Sequence, residues 1–274
     1  MESSAMYGRP RAGVYMMKNF IRRLFGRFYS VSLSDVLTYK GAWRNGAFHG
    51  YGVLEYRNGG LYRGHFKFGV KHGFGIYTSS SGYRYEGAWS DGKQTGLAKI
   101  SYKNGDWYEG SVENGVRSGA GELSELSSKR IFNGHWKSGL LVGDVTITSQ
   151  DWRYVGTIPD FCGRSSGRLT YSDGAVYVGE LIGYVRNGRG KYFSGSGSQI
   201  SGNWADDMNV VQATATDSEG INWFGTFKNL KPEGFMKVCL PNGQKYDGLW
   251  TDGQMQRAFS VRNKRNAETV YHFR

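Results

Sequence analysis

Residues 39–52 read Tyr39-Lys40-Gly41-Ala42-Trp43-Arg44-Asn45-Gly46-Ala47-Phe48-His49-Gly50-Tyr51-Gly52, and this stretch decides the fold. Tyr39, Gly41 and Trp43 stand at steps of two, so in an extended strand they share one face. Asn45-Gly46 is a strong two-residue hairpin signal, because both residue types accept positive φ. The stretch therefore reads as strand, tight turn, strand.

The pattern recurs every 23 residues. Tyr62-x-Gly64-x-Phe66, Tyr85-x-Gly87-x-Trp89 and Tyr108-x-Gly110-x-Val112 repeat the opening. Phe132-x-Gly134-x-Trp136 follows one residue late. Tyr154-x-Gly156-x-Ile158, Tyr177-x-Gly179-x-Leu181, Ile200-x-Gly202-x-Trp204, Trp223-x-Gly225-x-Phe227 and Tyr246-x-Gly248-x-Trp250 complete ten units. Asn45-Gly46, Asp91-Gly92, Asn114-Gly115 and Asp252-Gly253 predict the turn inside a unit. Asn58-Gly59, Asn104-Gly105, Asp173-Gly174 and Asn242-Gly243 predict a second turn of the same two-residue kind between units. One hairpin is marginal in water, so neighbouring units must bury each other's aromatic faces. The expectation is an all-β protein, an elongated single antiparallel twisted sheet of about ten consecutive 23-residue hairpins. At ~4.8 Å per strand it would run roughly 90–100 Å.

The motif resembles the MORN repeat (membrane occupation and recognition nexus), close to YxGxWxxGxxHGxG and nearly whole in 39–52. The resemblance covers about 39–254. It is strong in the first four units and weaker in the middle, where Phe161 stands in place of a glycine and Gly183 comes one residue early. The last unit has Arg257 and Phe259 where second-strand glycines are expected, which suits a terminal cap. The family resemblance implies a non-catalytic scaffold in cytoskeletal, ciliary or organelle assemblies. Family members can carry these repeats before a methyltransferase or lipid kinase domain; nothing after 254 is long enough for either.

Composition agrees with a folded aromatic array. Glycine is abundant at 42 residues, proline scarce at 4, and aromatics make up 15%. The net charge of +12 is uneven. Residues 1–38 hold six basic and two acidic side chains, residues 255–274 five and one, and the body 39–254 twenty-four and twenty. The division expected is a basic N-terminal segment (1–38), a nearly balanced repeat array (39–254) and a basic C-terminal cap or tail (255–274). No apolar run reaches the ~20 residues of a membrane-spanning helix.

Residues 13–29 follow a different period. Val14, Met17, Phe20, Ile21, Leu24, Phe25 and Phe28 fall on one side of a helix, with Lys18, Arg22, Arg23 and Arg27 outside that arc. A short basic amphipathic helix is expected, and three uses stand open: capping the array or docking on a partner, mitochondrial targeting with cleavage near Ser30, or membrane-surface association.

Chemistry is hard to place. His49 and His72 share a repeat offset and are read as fold-making. Gly163-Arg164-Ser165-Ser166-Gly167 matches the nucleophile-elbow string but sits between two expected strands, where no helix follows. Gly195-Ser196-Gly197-Ser198 lacks the lysine and helix of a phosphate loop and reads as an inter-unit turn. Cys162 and Cys239 form no CxxC and are read as reduced thiols. No catalytic residue, metal or cofactor is expected.

The leading functional reading is a scaffold whose aromatic groove holds a peptide or helix of a protein partner. Candidate contacts are Tyr39, Trp43, Tyr62, Phe66, Tyr85, Trp89, Tyr108, Trp136, Trp204, Trp223 and Trp250, most of which are also expected to pack between hairpins. Anionic-phospholipid tethering through the basic ends is a second reading, and membership of a mitochondrial ribonucleoprotein a third, with no direct nucleic-acid contact expected. Homodimerisation is compatible with all three. A cytoplasmic, cytoskeletal or ciliary location is expected, with the mitochondrion as the alternative.

Overall fold

A computed structural model describes residues 35–159, 163–262 and 268–269, with side chains described through Phe259 in the last strands. The expected N-terminal helix with Lys18, Arg22, Arg23 and Arg27 lies outside the described residues, as do Phe161 and Cys162. The chain divides into two compact units, the first up to Ser127 and the second from Ser128.

The first unit is an antiparallel meander of eight strands: β1 (Val36–Arg44), β2 (Ala47–Tyr56), β3 (Leu61–Lys67), β4 (Val70–Thr78), β5 (Arg84–Ser90), β6 (Lys93–Ser101), β7 (Trp107–Glu113) and β8 (Val116–Glu125). The second begins with β9 (Arg130–Lys137), β10 (Leu140–Thr148), β11 (Trp152–Ile158), β12 (Arg164–Tyr171), β13 (Val176–Ile182) and β14 (Val185–Phe193). It continues with β15 (Gln199–Ala205), β16 (Asn209–Thr216), β17 (Asn222–Lys228), β18 (Lys231–Cys239), β19 (Lys245–Thr251) and β20 (Gln254–Arg262), and β21 (Glu268–Thr269) pairs briefly with β20. The ten expected hairpins are all present, and no helix occurs among the described residues.

Turns inside the hairpins follow the sequence where it predicts them. Asn45-Gly46, Asp91-Gly92 and Asn114-Gly115 have φ near 50° and 80°, positive at both central residues. Phe68-Gly69 and Ser138-Gly139 do the same, and even Asn229-Leu230 holds φ 50° and 60° without glycine. The turns between hairpins differ from expectation. At Asn58-Gly59 only the glycine is left-handed, with φ 82°. Gly59 N donates to Tyr56 O and Tyr56 N to Gly60 O, which makes a three-residue loop ending in a glycine bulge. Asn58 serves by its side chain instead, accepting from Gly60 N at 3.0 Å; Asn104, Asp173 and Asn242 repeat this.

Register brings the repeat glycines face to face. In the first unit Gly41, Gly52, Gly64, Gly75, Gly87, Ala98, Gly110 and Gly121 form one row across eight strands. In the second, Gly156, Gly167, Gly179, Gly190 and Gly202 continue strand to strand. The last hairpin corrects the sequence alignment: Gly248 faces Ala258, not Arg257 or Phe259.

A leading tyrosine, where a unit up to Tyr177 has one, lies over this row. Its hydroxyl donates to the carbonyl three residues on: Tyr39 to Ala42, Tyr62 to His65, Tyr85 to Ala88, Tyr108 to Ser111 and Tyr177 to Glu180, at 2.7–3.0 Å. The ladder register breaks at that point in these five hairpins, as between Gly64 and Phe66, so the phenol satisfies a carbonyl beside a bulge. A ring from the next hairpin then closes over the tyrosine. Phe66 meets Tyr39 at 5.4 Å, Trp89 meets Tyr62 at 5.3 Å and Trp204 meets Tyr177 at 5.3 Å, all edge-on. Each such pair contributes about 0.5–1.5 kcal/mol beyond its buried area.

Candidate functional site

Strand alternation separates two faces of each meander. The inner face holds the tyrosines, and most of the aromatic residues singled out from sequence are buried there: Tyr62, Phe66, Tyr85, Trp89, Tyr108, Trp136 and Trp204. Tyr39, Trp223 and Trp250 are half-buried, and Trp43 alone of the eleven is exposed. The indoles Trp89 and Trp204 donate to the Gly75 and Gly190 carbonyls, so even their polar atoms serve the fold.

Cations fill the remaining gaps on this face. Lys71 Nζ lies 4.4 Å from the Trp89 ring centre and 4.9–5.2 Å from Tyr62, Tyr77 and Tyr56. Burial lowers its pKa to about 8, while the four ring faces favour the ammonium form. Arg186, buried at the matching place two residues after its turn, sits over Trp204 and Tyr192 and pairs with Asp207 at 2.8 Å. Burial also pushes the tyrosines up, Tyr85 and Tyr108 to about 12 and Tyr62 further.

The outer face carries what the sequence reading missed. The residue between the two second-strand glycines must point away from the tyrosine, and at this offset stand Tyr51, Phe74 and Leu97, 59%, 55% and 74% exposed. They sit on β2, β4 and β6, and opposite them across the ladders are His65, Ala88 and Ser111. Tyr51 and His65 make an edge-on contact at 5.7 Å. The alternation of a strand was the signal that could have found them: only the inward phase was followed.

Among the described residues no group of three His, Cys, Asp or Glu side chains could hold a metal ion. The string 163–167 enters strand β12, with Gly167 facing Gly156 and Gly179 in the ladders, so no elbow forms. The run 195–198 is the turn between β14 and β15, closed by Gly197 N donating to Ser194 O. Cys239 is a half-buried free thiol. Among the described residues no helix is long and apolar enough to cross a membrane.

Five stretches of the chain match the MORN repeat: residues 39–61, 62–82, 85–107, 108–124 and 177–199. The first four fall in the first unit and the fifth is the hairpin β13–β14 with its following turn. No curated protein sequence matches the chain. Among solved structures it is similar to the G-box domain of the microcephaly protein CPAP, at 13% identity and TM-score 0.40, covering 74% of this chain and 100% of that one. It is also similar to the TCP10 domain of Danio rerio CPAP, at 13% identity and TM-score 0.39, covering 71% and 97%. Likeness at this level carries no argument about function.

Proposed function

We propose that this MORN-repeat chain is a non-catalytic scaffold that holds an amphipathic helix of a protein partner along the outer face of its first unit. The observation that carries this reading is the exposed row Tyr51, Phe74 and Leu97. Large apolar side chains in a regular exposed row mark an interaction surface.

Geometry favours a helix as the occupant. Tyr51, Phe74 and Leu97 stand two strands apart, a repeat of ~9.6 Å. Residues seven apart on a helix repeat every ~10.5 Å, so a helix crossing the strands meets the row with an apolar residue at each step. All ladder groups between these strands are already paired, so an added strand has no backbone to bind on this face. On the strands between the large residues, Ala88 leaves room for the helix to approach and His65 lies beside Tyr51.

The test is affinity capture with the full chain and with the triple variant Tyr51→Glu, Phe74→Glu and Leu97→Glu. The reading expects a discrete partner with the parent chain and at least tenfold less with the variant, at an unchanged melting temperature. Equal capture by a folded variant overturns it.

A further inference from the structure

The outer face of the second unit differs in charge. Arg153, Arg164, Arg168, Arg189 and Lys191 all point outward from β11, β12 and β14. None has an ion pair among the described residues. In the first unit two outward cations meet acids, Arg84 with Glu86 at 2.6 Å and Lys99 with Glu109 at 3.1 Å, while Lys40 and Arg63 have no ion pair among the described residues. A body that is nearly neutral in sequence thus concentrates positive charge on one patch once folded.

Within the patch lies an open hollow of about 540 Å³, lined by Val178, Arg189, Lys191, Ser201, Asn203 and Gln212 over a floor of Gly190 and Gly202. Every polar side chain lining it can donate a hydrogen bond, and none is acidic. Gln212 sits at a break in both of its ladders with φ 50°, a left-handed conformation uncommon for glutamine. Lys191 is steadied over the Phe193 ring at 4.9 Å. The acid on the neighbouring strand, Glu180, accepts from Arg189 N at 3.0 Å, which directs its carboxylate to the backbone.

We infer that this hollow receives a phosphorylated serine or threonine of a protein partner. A guanidinium, an ammonium, a hydroxyl and two carboxamides lining one hollow suit a dianionic phosphate with several oxygens to satisfy. Val178 on the hollow's β13 side, 43% exposed, offers apolar contact to a residue beside the phosphate. The inference rests on the scaffold reading for its partner, but not on the row in the first unit.

The test uses the full-length, isotope-labelled chain titrated with N-acetyl-O-phosphoserine methylamide. N-acetylserine methylamide in sodium chloride at matched ionic strength is the control. Saturable shifts of the Gly190, Lys191, Gly202 and Asn203 amides, at least tenfold weaker binding in Arg189→Gln/Lys191→Gln, and an unchanged melting temperature support the site. Shifts that never saturate, or that appear equally with the control, overturn it. Saturable binding only to phosphatidylcholine vesicles containing a phosphoinositide also overturns it, since the face would then recognise a lipid. No protein partner is present in this titration, so its failure leaves the helix-binding row standing, and loss of partner capture leaves this site standing.

Discussion

The Tyr62 hydroxyl occupies the space that a β-carbon on Gly75 would fill, and it donates to the His65 carbonyl at 3.0 Å. One phenol thereby does two things: it takes the space a side chain on Gly75 would need, and it satisfies the carbonyl beside the bulge. Tyr108 over Gly121 and Tyr177 over Gly190 repeat the relationship.

Gly75→Ala is expected to destabilise the first unit by about 1–3 kcal/mol, the usual cost of overpacking. Where Ile200 replaces the leading tyrosine, Ala213 stands in the row, and under Tyr85 the row holds Ala98. Tyr62→Ile should therefore recover part of the loss, and a urea-unfolding double-mutant cycle should be less than additive. Strict additivity would contradict the clamp.

Tyr85→Phe removes the donor to the Ala88 carbonyl at 2.7 Å and to the Thr95 carbonyl at 3.3 Å. Leaving such acceptors unsatisfied should cost about 1–3 kcal/mol, read as a lower urea midpoint at an unchanged slope. A neutral substitution would show that the phenol only fills space.

Alkaline pH should weaken the fold. Burial raises Tyr85 and Tyr108 from 10.0 to about 12, so the folded state keeps protons that the unfolded chain releases. Their contribution is complete below pH 10 and is lost as pH rises through 12. Chemical unfolding at a series of pH values above 9 should show a falling midpoint, and a flat profile across that window would contradict the assignment.

Lys71 acts in the opposite sense. Its pKa falls from 10.5 unfolded to about 8 folded, so between those values the unfolded chain binds more protons and stability rises with pH. The parent chain should therefore gain on Lys71→Met between pH 8 and 10.5. A constant difference would mean that the four rings hold the ammonium as strongly as water does.

Much of this was legible in the sequence, because each unit repeats both the turn and the ring-over-glycine pair. In the weaker middle units the row is set by register, which the sequence does not show. Phe132 faces a row with Val145, Ile200 one with Ala213 and Trp223 one with Met236, so side chains enter the row where the phenol leaves. The inter-unit turns were misread because Asn-Gly suits two loop lengths, and hydrogen bonds at Tyr56 and Gly60 decide between them. The outer row escaped because Tyr51 and Phe74 look like part of the glycine motif. The cationic patch escaped because β11, β12 and β14 are spread over forty-odd positions of a balanced sequence, and only register brings Arg168 and Lys191 to either side of Val178.

The central claim is tested most directly by site-specific photo-crosslinking in cells, with a benzophenone side chain at position 74, at position 97 and at Asp91 in a turn. The account predicts one discrete protein adduct shared by positions 74 and 97 and absent from position 91. No adduct at 74 and 97, or the same adducts at all three positions, would contradict it.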